Sequence, residues 1–232
     1  FIYIIIIILV ILLLLFHFKP ELFAVTHLEQ FSNACDNTCS HLTDISTLSG
    51  LEYGGKHEMS IFKNIGDYYL VLSRHVPYKK IDIIVEAFNR NDKKVIIIGE
   101  GPDTKKIKKL AKSKKIIFLG WIDDDSKKQY LSKCKALLFP GVEDFGIVPI
   151  EAMASGRPVI AYKKGGAMDY IKEDINGLFF NNQSPESLNS KVLEFESRYE
   201  DFDSKLIRES VKFFDKEYFY KKIKDEISNL LN

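Results

Sequence analysis

From residue 67 onward, short apolar runs alternate with segments of helical spacing. Tyr68–Leu72, Val95–Ile98, Ile116–Leu119, Ala136–Phe139 and Pro158–Ala161 are apolar without polar alternation, the pattern of strands covered on both faces. Between them, Ile81–Asn89, Thr104–Lys112, Ser126–Cys134 and Ile150–Ser155 repeat apolar residues at helical intervals. The alternation predicts an α/β domain, a doubly wound Rossmann-like parallel sheet, with two or three amphipathic helices over Pro185–Leu231. Such sheets bind ligands outside the carboxyl ends of their strands, so chemistry is expected in the loops that follow the runs.

The chain before residue 67 follows another pattern. Phe1–Phe18 is apolar apart from His17. As a helix it spans about 27 Å, close to a hydrocarbon layer of about 30 Å. A membrane-spanning helix is expected there, with a low-complexity apolar end as the alternative. The run lacks the basic start and small-residue cleavage pattern of a signal peptide. Lys19 then points to attachment at the cytoplasmic face. Residues 19–66 mix Ser, Thr, Asn and Gly without a period and read as linker. The expected organisation is therefore 1–18 apolar helix, 19–66 linker and 67–232 folded domain. Cys35, Cys39 and His41 lie close together, but His27 and His57 are poorly spaced to complete a zinc site, and no metal is expected.

Composition narrows the classes. Of 232 residues, 46% are hydrophobic and 28% charged, enough apolar material to exclude a disordered chain. The 33 basic and 32 acidic side chains give a net charge of +1, which argues against a dedicated nucleic-acid binder. Three scattered cysteines make no disulfide framework and suit a reducing compartment. Charge is uneven, with 17 basic against 8 acidic residues between Arg74 and Lys135. Much of that excess is Lys105, Lys106, Lys108, Lys109, Lys112, Lys114 and Lys115, which at helical spacing reads as a solvated face. An anionic lipid surface is the main alternative. RNA is disfavoured because no aromatic residues interleave the lysines.

Three loops carry candidate chemistry. Ser73-Arg74-His75-Val76-Pro77-Tyr78-Lys79-Lys80 sets an arginine and a lysine in one strand-to-helix connection, where both can reach a diphosphate and stabilise it as a leaving group. Gly99-Glu100-Gly101-Pro102 lets backbone approach a phosphate. It lacks the third glycine of a dinucleotide fingerprint, because Thr104 stands there. In Glu143-Asp144-Phe145-Gly146-Ile147-Val148-Pro149-Ile150-Glu151 two glutamates flank a glycine, and Pro149 marks a helix start. A carboxylate accepts from paired sugar hydroxyls, which suits Glu151 to a ribose and Glu143 to a transferred hexose.

Together with Gly120-Trp121 and Gly156-Arg157-Pro158-Val159-Ile160, these loops resemble, in order and approximate spacing, the nucleotide-sugar lobe of the family-4 retaining glycosyltransferases. The resemblance covers about residues 67–228, and Phe213–Phe219 is similar to the family's terminal helix. It implies the C-terminal lobe of a two-lobe enzyme. Arg74 and Lys79 would hold the diphosphate, Glu143 the donor sugar and Glu151 the ribose. Gly101, backbone at Ile122 and the amides of Phe145, Gly146 and Ile147 would line the donor. It further implies transfer of a hexose with retention, without an obligatory metal, to a glycan or lipid-linked acceptor. Glu-Asp-Phe-Gly-Ile-Val-Pro is most similar to mannosyltransferase-like members using GDP-mannose, with UDP-sugars as the alternative donors. The family's acceptor lobe has no counterpart in residues 1–66, so that lobe is expected either in a full-length form or from a separate acceptor-lobe subunit as a partner. The competing expectations are a nucleotide-sugar-binding subunit without turnover and a nucleotide-sugar epimerase.

Overall fold

The computed structural model describes residues 65–215 and, beyond them, 218, 221, 222 and 225. The expected apolar helix at 1–18, nearly all of the linker and the Cys35, Cys39 and His41 group lie outside the described residues. The described elements up to Phe213 belong to one compact unit.

Six strands and seven helices carry this unit among the described residues. The strands are β1 (Tyr68–Leu72), β2 (Lys94–Ile98), β3 (Ile116–Gly120), β4 (Leu137–Phe139), β5 (Val159–Tyr162) and β6 (Gly177–Phe180). The helices are α1 (Ile81–Phe88), α2 (Thr104–Leu110), α3 (Asp124–Lys133), α4 (Ile147–Ala154), α5 (Ala167–Tyr170), α6 (Pro185–Ser197) and α7 (Ser204–Glu209). Every described strand pair is parallel, and the strand order is β3-β2-β1-β4-β5-β6. This is the doubly wound sheet that the unbroken apolar runs predict.

Winding reverses between β1 and β4. Right-handed crossovers on either side of that reversal send helices to opposite faces. Accordingly α1 packs with α2 and α6, and α4 with α3 and α7. Leu70, Ile84, Val85, Val95, Ile97, Ala152 and Ile160 are sealed between the layers. Loops at the carboxyl ends of β1 and β4 diverge at the reversal and leave a crevice there.

Several elements differ from the sequence pattern, β6, α4 and the short α5 among them. β6 was not expected, because Gly177-Leu178-Phe179-Phe180 is too short to separate from a loop until it pairs with β5. α4 begins at Ile147 rather than Ile150. Gly146, at φ 88°, turns the chain directly into the helix, and Pro149 sits early enough that its missing N–H costs nothing.

α6 closes the face over α1. Ser184 caps it by accepting from Ser187 N at 3.2 Å, and Pro185 takes the first helical position. Its inward stripe is Leu188, Val192 and Phe195. Tyr69 lies edge-on to both Phe88 (5.4 Å) and Phe195 (6.0 Å). The Tyr69 hydroxyl donates to Glu196 at 2.7 Å, and Lys93 and Lys135 reach the same carboxylate, each at 3.0 Å.

Candidate functional site

The crevice at the winding reversal gathers the first and third sequence loops. Leu72 and Ser73 at the end of β1, Lys79, then Gly141 and Glu143 after β4, and Val148 of α4 line a narrow cleft. Lys79 ends the 3-10 turn Pro77–Lys79 and forms an ion pair with Glu143. Their side chains are only 16% and 21% exposed, so the pair is shielded from solvent. The backbone of Lys79 approaches Gly141 so closely that an added Cβ there would lie 3.1 Å from Lys79 Cα.

Glu143 and the turn behind it are braced from the next strand. Gly166 N donates to Glu143 O at 2.8 Å. A Cβ on Gly166 would fall 2.0 Å from Asp144 O, so only glycine permits this approach. The Tyr170 hydroxyl donates to Phe145 O at 2.6 Å and Gly146 O at 3.2 Å. Burial pushes the Tyr170 phenol pKa up, keeping it protonated as that donor. The Lys164-Gly165-Gly166-Ala167 segment thus fixes the direction in which the Glu143 loop points.

The β1 and β2 loops are stitched together through His75. Ser73 N donates to Ile98 O at 3.1 Å, and His75 N to Glu100 O at 3.1 Å. His75 Nδ1 meets Thr104 Oγ1 at 2.9 Å, and the same hydroxyl accepts from Gly101 N at 2.9 Å. Thr104, the residue that breaks the dinucleotide fingerprint, is therefore the tie between the two loops. His75 Nε2 is buried without a hydrogen-bond partner. Burial lowers the imidazole pKa, nearby Lys108 adds to the effect, and Glu100 and Asp103 oppose it.

Not all expected residues meet. Arg74 shares the connection with Lys79 but is exposed, and among the described residues it makes no ion pair. Glu151 lies on α4, 7% exposed, and its partner is Lys127 of α3 at 3.0 Å. Ile122 follows β3 beside Trp121, which is 79% exposed. Phe145 and Gly146 are buried at the start of α4, with Ile147 half-buried. Lys127 and the His75–Thr104 tie carry no motif, so the sequence gives no cue to either; both depend on contacts between separate elements.

Two other features belong elsewhere. Arg157, of Gly156-Arg157-Pro158, is buried just before β5, at the amino ends of the strands, where it bonds to Tyr199. Its neighbour Cys134 has its thiol pKa pushed up to about 12 by burial. That element supports the sheet from the rim opposite the cleft. On the same rim Lys94 pairs with Asp67 at 3.2 Å and Lys115 with Asp92 at 2.7 Å. Lys105, Lys106, Lys108 and Lys109 of α2 are exposed, with Lys108 above the Phe118 ring. Among the described residues no three His, Cys, Asp or Glu side chains cluster as metal ligands, and no helix is long and apolar enough to cross a membrane.

A doubly wound lobe whose cleft at the winding reversal is lined by Lys79 and Glu143 has the fold of a Rossmann-like lobe of the GT-B type. Residues 59–212 match the family model described as Glycosyl transferases group 1, and the chain belongs to that family. It is 32% identical over 176 residues to the uncharacterized glycosyltransferase MJ1178 of Methanocaldococcus jannaschii, an alignment covering 73% of this chain and 49% of that protein. The chain thus spans about half the length of that relative. Among solved structures, Anabaena Alr3699/HepE in complex with UDP superposes with a TM-score of 0.61 at 21% identity, covering 82% of this chain and 54% of the other. Sucrose-phosphate synthase from Thermosynechococcus elongatus gives 0.63 at 23% identity, covering 71% and 45%. These two share the fold.

Proposed function

We propose that this chain is the donor lobe of a retaining hexosyltransferase that uses a nucleoside diphosphate sugar. The observation that carries the proposal is the shielded Lys79–Glu143 pair in the cleft where a doubly wound sheet binds its ligand. HepE, a structural neighbour, binds UDP and UDP-glucose, which supports a nucleotide-sugar donor for this chain as well.

In this reading the diphosphate draws the Lys79 ammonium away from Glu143, freeing that carboxylate to accept from hydroxyls of the donor hexose. Arg74, exposed in the same connection, adds a planar guanidinium to the same phosphates. Both cations then stabilise the charge that develops on the departing diphosphate. Glu151 grips the ribose, backbone near Ile122 borders the base, and Gly101 with the Phe145–Ile147 amides lines phosphate and sugar. An acceptor hydroxyl attacks the anomeric carbon on the face from which the nucleoside diphosphate leaves, its proton passing to the departing phosphate oxygen, so the configuration is retained. No metal is assigned a role.

The wording Glu143-Asp144-Phe145-Gly146-Ile147-Val148-Pro149 favours mannose from GDP-mannose. The acceptor is proposed to be a glycan or lipid-linked sugar, recognised by a second lobe or a partner subunit. The apolar run Phe1–Phe18 supports action at the cytoplasmic face of a membrane. Saturation-transfer NMR on the chain with GDP-mannose and UDP-glucose tests the donor. The expected result is signal from both base and sugar protons of GDP-mannose. Stronger signal from UDP-glucose would replace the mannose assignment, and silence from both would end the donor reading.

A further inference from the structure

A second shielded ion pair joins Glu151, the last residue of the third loop motif, to Lys127, which no motif contains. The Glu151 carboxylate is nearly sealed from water, and its Oε1 accepts from Lys127 Nζ at 3.0 Å. The Lys127 side chain is itself only 18% exposed. It extends from the first turns of α3, a helix start fixed by Asp123, which accepts from Ser126 N at 2.9 Å and from Ser126 Oγ at 2.8 Å. Asp124 stands farther from the same ammonium, at 3.6 Å. A carboxylate withdrawn from water is costly without a partner. A lysine bound to one of its oxygens also decides where the other one faces. Because α3 starts directly after Ile122, this single contact joins the segment proposed to border the base to the carboxylate proposed to hold the ribose.

We propose that Lys127 is a positioning residue of the donor site: by holding Oε1 of Glu151 it presents Oε2 to the vicinal hydroxyls of a ribose and sets the preference for a ribonucleotide over its 2′-deoxy counterpart. The inference rests on the donor-site reading above and adds to it a residue from an element outside the motif loops. Lys127 acts through Glu151 and touches no reacting atom.

The test is calorimetric titration of the chain with UDP, 2′-deoxyUDP, GDP and 2′-deoxyGDP, using the base whose ribonucleotide binds more tightly. Loss of a hydroxyl that a buried polar group is built to bind weakens affinity about tenfold or more, so the wild-type ratio should be of that order. Lys127→Met should bring the ratio to within about threefold of unity, chiefly by weakening the ribonucleotide, and Lys127→Arg should restore it. In a Glu151→Gln background, Lys127→Met should leave the ratio unchanged; that comparison also serves if the single variant folds poorly, since the double variant buries no unpaired carboxylate. A ratio that survives Lys127→Met, or equal weakening of ribo and deoxy ligands, would overturn the role of Lys127 while leaving the donor reading intact. Failure of the wild type to bind either ribonucleotide would overturn both.

Discussion

His75 is a single residue with two consequences. Its ring ties the β1 and β2 loops through Thr104, and its burial lowers the imidazole pKa in the folded protein. The unfolded chain takes up that proton near pH 6.5, before the folded protein does. Stability is therefore full above that pH and is lost as pH falls from about 6.5 through the lowered folded value. Urea midpoints at pH 7.5 and 5.5 should separate more for the wild type than for His75→Gln, which keeps a polar partner for Thr104 without titrating. Equal separations would mean that His75 is not the titrating group. At this scale the sequence was only partly informative. Arg74, Lys79, Glu143 and Glu151 could be read as candidates because their chemistry sits in loops after apolar runs. Lys127 could not, since nothing in Asp123–Lys128 indicates that this helix start reaches a glutamate on α4.

Among elements, strands were more legible than helix starts. Continuous apolar runs marked β1 to β5, because a strand buried on both faces needs no alternation. β6 was hidden by its length, and the start of α4 by the turn at Gly146. α6 was expected only as part of an amphipathic stretch, yet it seals one face of the sheet through Phe195, which is fully buried against Tyr69, Tyr199 and Phe202. Phe195→Ala should cost about 3–5 kcal/mol in chemical denaturation, since it removes a buried ring and leaves a cavity. A loss below about 1 kcal/mol would mean that α6 contributes little to the packing of the lobe.

For the whole molecule, topology explains why the scattered loops meet. Right-handed crossovers on both sides of β1 and β4 leave one crevice at the carboxyl rim, and the loops carrying Lys79 and Glu143 border it. The paired cations Lys93, Lys94 and Lys115 lie at the opposite rim, where acidic neighbours already satisfy them. The local excess of positive charge visible in the sequence is thus divided between a solvated helix, an internally neutralised rim and the cleft. Lys79 lines the crevice at the site a doubly wound sheet reserves for ligands. The most direct test is a comparison of wild type and Lys79→Met for affinity toward UDP, GDP and their parent nucleosides. A charge-assisted contact to phosphate predicts at least about a tenfold loss for the diphosphate that binds, with no change for its nucleoside. Equal affinities of wild type and variant for that diphosphate would contradict the account.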